Sequence, residues 1–66
     1  MKVCMCRAIS PNLEELRSLE NDLRGLGLNP TQVGRELTVT FHEMMLMPHV
    51  LEMFEQFDEH SFFVEF

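Results

Sequence analysis

Two cysteines near the N-terminus are the residues of this chain best suited to chemistry. Cys4 and Cys6 are two positions apart in the stretch Lys-Val-Cys-Met-Cys-Arg-Ala. On a β-strand, side chains at this spacing point to the same side, so both sulfurs could approach one metal ion. Thiolates bind Cu(I), and they bind Zn²⁺ when a histidine such as His42 completes the site. One hypothesis is therefore a small soft-metal carrier that uses these three residues.

The other reactive residue types do not form a known catalytic pattern. His42-Glu43 begins like the zinc-protease motif, but the second histidine of that motif would stand at position 46, which is leucine. The chain lacks a serine elbow, and Gly25-x-Gly27 ends a predicted helix where a phosphate loop would begin one. We expect a non-enzymatic protein with no catalytic residues.

Acidic residues are concentrated in the second half of the chain. The net charge is −6, and all of the excess lies after Val33. A predicted acidic patch consists of Glu43, Glu52, Glu55, Asp58 and Glu59. Because negative charge repels phosphate backbones and anionic lipids, the patch favours a basic protein surface over nucleic acid or a membrane.

Length and composition indicate one domain, residues 1–66. The chain is 45% apolar, which is sufficient for a core. A chain this short buries only about 60% of its unfolded surface, and oligomerisation is a common source of additional stability. The sequence contains neither a signal-peptide pattern nor an apolar run of about 20 residues, so we expect a cytoplasmic protein with reduced cysteines.

The stretch Glu36 to His42 predicts the strand around which the other elements are arranged. It reads Glu-Leu-Thr-Val-Thr-Phe-His, and its apolar and polar side chains alternate strictly. Further strands are expected at Lys2–Ala8, Thr31–Val33 and Ser61–Phe66.

Two helices are expected between these strands. Regularly spaced leucines from Leu13 to Leu26 indicate the first helix, which begins at Ser10-Pro11 or is capped by Asn12, and which ends at Gly27. Pro48 fits the first turn of the second helix.

This element order is the ferredoxin-like βαββαβ plan. It predicts an α+β fold in which a four-stranded antiparallel sheet of order 4-1-3-2 carries two helices on one face. Merging the two middle strands would instead give a three-stranded βαβαβ sheet. The architecture resembles small metal-carrier domains of ferredoxin-like fold. Their Cys-x-x-Cys lies in the loop after the first strand, where this chain has Ile9-Ser10-Pro11, so we expect no bound metal or cofactor.

The sheet face away from the helices is the expected site of self-association. We expect it to carry uncharged side chains, namely Cys4, Cys6, Ala8, Thr38, Thr40 and Phe63. Uncharged exposed patches mark interaction sites, although threonine is also a common residue of partnerless sheets.

The sequence thus favours a small acidic interaction or regulatory module that forms a homo-oligomer through Cys4, Cys6, Thr38, Thr40 and Phe63. Its acidic patch would bind a basic protein. An alternative is a phage-type inhibitor that covers the nucleic-acid-binding surface of its target, and the competing class is the metal carrier.

Overall fold

The computed structural model describes residues 2–66 and shows an α+β fold of four strands and two helices. The elements in chain order are β1 (Val3–Ile9), α1 (Leu13–Gly25), β2 (Thr31–Val33), β3 (Glu36–Phe41), α2 (Met47–Glu55) and β4 (Glu59–Glu65). A short 3-10 turn, Met44–Leu46, connects β3 to α2. No helix among residues 2–66 is long and apolar enough to cross a membrane.

All strand pairs in the sheet are antiparallel, and the strand order is β2-β3-β1-β4. This order is the predicted 4-1-3-2 arrangement, so the sequence-based prediction of the topology is confirmed. The three-stranded alternative is wrong, because β2 and β3 are separate strands that pair with each other.

A tight turn separates β2 from β3. Val33 lies opposite Glu36, which leaves Gly34 and Arg35 as a two-residue loop. Gly34 has a φ of 61°, whereas Arg35 has a negative φ. Positive φ at the first loop position alone is the pattern of a type II′ turn, which suits the twist of a hairpin and favours glycine there.

Helix α1 begins at the second of the two predicted caps. The Asn12 side chain accepts a hydrogen bond from the Glu14 N–H at 3.0 Å, which satisfies one free donor of the first turn. Ser10 lies before the helix, and its hydroxyl oxygen accepts from the Asn12 N–H at 3.1 Å. Ser10 therefore supports the capping residue, and Pro11 precedes the helix.

Gly27 ends α1, as predicted. The Leu28 N–H donates to the Leu23 carbonyl at 3.1 Å, and the Gly27 N–H donates to the Arg24 carbonyl at 3.0 Å. This pair of bonds is the Schellman motif, which requires a left-handed residue at the position of Gly27, where φ is 84°. Leu23 and Leu28 are both buried, so the motif also joins the helix end to the core.

The core lies between one face of the sheet and the two helices. Three residues of β1 and their partners on β3 are buried together, in the pairs Cys4–Phe41, Cys6–Val39 and Ala8–Leu37. The helices add Leu16, Leu19 and Leu23 from α1 and Val50 and Phe54 from α2. The opposite face of the sheet is the more exposed one, and it is called the open face below.

The predicted orientation of β1 is wrong. Cys4, Cys6 and Ala8 were expected on the open face, but each has 0% exposure and points toward the helices. The inward side chains of β3 and α2 include Phe41 and Phe54, which are large, so small side chains on β1 complete a close-packed interior. Met5 lies between the two cysteines on β1 and is therefore on the open face, where it is exposed.

The last strand begins earlier than the predicted Ser61. β4 starts at Glu59, so His60 belongs to the strand and lies opposite Ala8. Its Nδ1 atom lies 2.6 Å from the carbonyl oxygen of Phe57, two residues after the end of α2. This contact links the start of β4 to the segment that follows the helix. Pro48 lies in the first turn of α2, as predicted.

Two glycines at the end of α1 provide a matched test of the Schellman motif. A Cβ atom at either Gly25 or Gly27 would meet no atom within 4 Å, so backbone conformation alone distinguishes them. Gly27→Ala places an L-residue at positive φ and should lower the free energy of unfolding by about 1–2 kcal/mol. Gly25→Ala lies in the helix and should raise it by roughly 0.5–1 kcal/mol. Urea unfolding followed by circular dichroism measures both, and equal effects would contradict the assigned role of Gly27.

Candidate interaction surfaces

An exposed apolar row crosses the middle of the open face. Met5 on β1 lies directly between Thr40 on β3 and Phe63 on β4. Met5 is 45% exposed and Phe63 is 55% exposed, so neither side chain is covered by the rest of the molecule. Directly opposed residues on neighbouring strands have Cβ atoms about 4.5–5.5 Å apart, which makes the row a continuous surface.

A second, polar row lies beside the first. Arg7 is paired with Thr38 on one side and with Ser61 on the other. The Arg7 Nη1 atom lies 3.8 Å from Glu36 Oε2, and both side chains are largely exposed. The two rows, with the neighbouring residues Glu36 and Phe62, border a shallow groove of about 240 Å³.

Three of the five predicted interface residues lie on the open face. Thr38, Thr40 and Phe63 point away from the helices, as the alternation of β3 and β4 predicted. Cys4 and Cys6 do not, because they belong to the core. Met5 and Arg7 take their places. Arg7 could have indicated the correct orientation of β1 in the sequence. A charged side chain is rarely buried without a partner, so the face of β1 that carries Arg7 is expected to be the exposed one.

All five residues of the predicted acidic patch are exposed. Glu52 and Glu55 are three residues apart on α2 and share one side of it, whereas Asp58 and Glu59 follow the helix. Glu43 precedes the 3-10 turn, and its Oε2 atom accepts a hydrogen bond from the His42 N–H at 3.2 Å. The ion pairs found within residues 2–66 are Arg7–Glu36 and Arg24–Glu20, so neither neutralises the patch.

Part of the acidic patch lies at the C-terminal end of α2, where the helix dipole disfavours negative charge. Glu55 is the last residue of α2, Asp58 follows closely, and the last turn of α2 contains no basic residue. The C-terminal end of a helix carries partial negative charge and favours cations. These carboxylates therefore raise the negative potential at this end of the molecule.

The two cysteines form a buried thiol pair. Their sulfurs lie 3.8 Å apart, both side chains have 0% exposure, and neither forms a disulfide. Burial, together with the neighbouring Cys4, raises the pKa of Cys6 from 9.0 to about 12. Since the thiolate is the form that binds metals and attacks electrophiles, this environment keeps Cys6 in its unreactive form.

The candidate metal ligands are not assembled in the structure. His42 is exposed at the end of β3, and its Nδ1 atom lies 2.9 Å from the Lys2 carbonyl oxygen. Within residues 2–66, no three histidine, cysteine or carboxylate side chains lie close enough together to hold an ion. Cys4 and Cys6 remain neighbours, but they point into the core, away from the solvent-exposed His42.

A further groove lies between the two helices. It has a volume of about 260 Å³ and is lined by Glu15, Ser18, Leu19, Asp22, Met53, Gln56 and Phe57. This volume is below the roughly 300–1,000 Å³ typical of small-molecule sites.

No protein-family model matches the chain, and neither the curated proteins nor the solved structures contain a significant match.

The buried Cys6 thiol should make stability depend on pH in the alkaline range. The folded-state pKa of Cys6 is raised, so its stabilising contribution is complete below pH 9 and is lost as the pH rises toward 12. The slope should reach at most about 1.4 kcal/mol per pH unit for one thiol.

Urea unfolding of the wild-type protein and of Cys6→Ala at pH 8 and at pH 10.5 tests this dependence. The wild-type protein should lose more stability between the two pH values than the variant does. Equal losses would show that Cys6 ionises in the folded state as easily as in the unfolded chain.

Proposed function

We propose that this protein is a non-enzymatic protein–protein interaction module of ferredoxin-like fold. It self-associates through the open face of its sheet and binds a basic surface of another protein through its acidic patch. The observation that carries the proposal is the exposed row formed by Met5 and Phe63, because apolar side chains grouped on an uncovered sheet face are typical of interaction sites.

The chemistry of the open face suits a second copy of the same chain. Its centre is apolar, and beside this centre lie one positive and one negative side chain, Arg7 and Glu36, on neighbouring strands. In a two-fold interface each surface meets itself in the opposite direction, so one surface must contain both members of any complementary pair. A face with a neutral centre and opposite charges beside it satisfies this requirement.

The acidic patch has a different partner. It is net negative without internal compensation, so two copies of it would repel each other. A lysine- or arginine-rich surface would neutralise the carboxylates and would also supply the positive charge that the C-terminal end of α2 lacks. The acidic patch and the open face therefore support binding to two different surfaces. If the basic target normally binds nucleic acid, the protein acts as its inhibitor; otherwise it acts as a regulatory subunit.

Phe63→Lys tests self-association. A charge in the apolar row should convert the oligomer into a species of 7.8 kDa, the mass of one chain. Asn21→Lys adds the same charge to the exposed surface of α1 and should leave the oligomer intact. Native mass spectrometry of the reduced protein measures the masses, and circular dichroism checks that both variants are folded. A wild-type monomer, or an unchanged mass for Phe63→Lys, would overturn the proposed self-association.

A matched pair of neutralising variants tests the acidic patch. Glu52→Gln with Glu55→Gln removes two charges from α2, and Glu14→Gln with Asp22→Asn removes two from α1. We expect about tenfold weaker binding of a polylysine peptide for the α2 variant and less than twofold for the α1 variant, measured by fluorescence anisotropy at 50 mM and 200 mM salt. Equal losses would show that binding follows total charge and does not depend on the acidic patch.

A further inference from the structure

We propose that the second copy pairs antiparallel with the free edge of β4, so that the two sheets become one continuous sheet around a two-fold axis. This inference rests on the proposed self-association and places the contact at the β4 edge of the open face, so that the two open faces lie side by side. It places Phe63 on the axis, beside the Phe63 of the second copy.

The two edge strands of the sheet differ in how well they are protected against pairing with a strand of another molecule. β2 is one edge, and it is only three residues long and follows Pro30. β4 is the other edge; it is seven residues long, contains no proline or lysine, and keeps an uninterrupted register with β1. Natural proteins usually protect long edges with lysine, proline or bulges, because an unprotected edge pairs with other strands. β4 contains no lysine, proline or bulge, and its two charged residues, Glu59 and Glu65, lie at its ends, so the segment from Ser61 to Val64 is uncharged.

The hairpin between β2 and β3 determines the direction in which the backbone N–H and C=O groups of each strand residue point. In a two-residue hairpin loop, the flanking residues Val33 and Glu36 form a hydrogen-bonded pair. The backbone groups of β3 then point alternately to β2 and to β1, so the even-numbered residues of β1 bond to β3. The Ser10 N–H, which donates to the Arg35 carbonyl at 3.1 Å, confirms this alternation one position beyond β1.

The same alternation defines the free edge. The odd-numbered residues of β1 bond to their partners on β4, which are also odd-numbered. The even-numbered residues His60, Phe62 and Val64 therefore direct their N–H and C=O groups away from the sheet. These groups are the ones that a second copy of β4 would engage.

Charge and side-chain type select one register. With Phe62 on the axis, Glu59 would lie opposite Glu65 of the second copy, and like charges in direct opposition are destabilising. With Ser61 on the axis, Glu59 would lie opposite the apolar Phe63. With Phe63 on the axis, Ser61 lies opposite Glu65 and Phe62 lies opposite Val64, and no like charges face each other.

The selected register also joins the exposed apolar rows of the two copies. Residue 63 forms a non-hydrogen-bonded pair with its copy, the type in which side chains approach most closely, with Cα atoms about 4.5 Å apart. The apolar row then runs from Met5 through both Phe63 rings to the second Met5. On the other side of the sheet, Phe62, which is 56% exposed, packs against Val64 of the second copy.

Disulfide cross-linking through one introduced cysteine tests which residues of the two β4 strands lie opposite each other. A Cα separation of about 4.5 Å lies within the range for a disulfide, so Phe63→Cys should form a disulfide-linked dimer rapidly under oxidised glutathione. Cys4 and Cys6 are fully buried and can remain in place. Phe62→Cys and Ser61→Cys report the two rejected registers, and Thr40→Cys reports a face-to-face dimer. Non-reducing gel electrophoresis should show at least tenfold faster cross-linking for Phe63→Cys than for the other three.

A second pair of variants separates the backbone from the side chain. Phe62→Pro removes an N–H that points to the free edge, whereas Phe62→Ala removes the same ring and keeps the N–H. Because proline is tolerated on edge strands when its nitrogen faces outward, both variants should fold. Native mass spectrometry should show complete loss of the dimer for Phe62→Pro and a residual dimer for Phe62→Ala.

The outcomes distinguish this inference from the proposed function. Fastest cross-linking through Thr40→Cys, with an intact dimer in Phe62→Pro, would overturn edge pairing and leave self-association through the open face in place. Fastest cross-linking through Phe62→Cys or Ser61→Cys would overturn the register. A wild-type monomer would overturn both the inference and the proposed self-association.

Discussion

The structure depends on one constraint: both helices cover the same face of a four-stranded sheet, so each strand must present a packed side and an exposed side. The pairing of β1 with β3 sets these sides. Cys4, Cys6 and Ala8 lie opposite Phe41, Val39 and Leu37, and all six are buried. Small side chains on the central strand face large ones on its neighbour and on the helices, which fills the core at the density that protein interiors require. Every residue of the open face is then fixed by the two-residue periodicity of the strands.

The elements that sequence analysis predicted correctly are those with a local physical signal. Gly27 ends α1 because the Schellman motif requires positive φ, and Pro48 lies in the first turn of α2 because it needs no N–H donor there. The orientation of β1 was predicted wrongly because methionine, valine and cysteine are all compatible with a core, so apolar character alone does not choose a face. The start of β4 was misplaced because Glu59 and His60 are exposed, and an exposed edge strand has no hydrophobic pattern that marks where it begins.

The residues of the candidate surfaces were likewise placed correctly only where the sequence contains a local physical signal. The acidic patch was predicted correctly as exposed because isolated carboxylates are costly to bury, whatever the fold. Thr38, Thr40 and Phe63 were placed on the correct face because β3 alternates strictly and β4 follows the register of its neighbour. The cysteines were misassigned together with their strand, and the raised pKa of Cys6 is a consequence of burial that no spacing rule indicates. The apolar row is likewise a product of three strands, and it becomes visible only when Met5 and Phe63 are known to be paired.

The same constraint relates stability to association. β4 is covered on one edge by β1, and the exposed rings of Phe62 and Phe63 contribute less to the fold than buried rings would. A chain of 66 residues has little apolar surface to spare, so leaving two aromatic rings on one strand at half exposure is unfavourable for an isolated copy. Pairing at β4 would bury those rings and satisfy the outward backbone groups at once. Association and folding would then be thermodynamically linked, and the stability of the chain would rise with its concentration. Glu52 and Glu55 of the acidic patch lie on α2 and Asp58 follows the helix, and with Phe63 on the axis no carboxylate of β4 would lie opposite another.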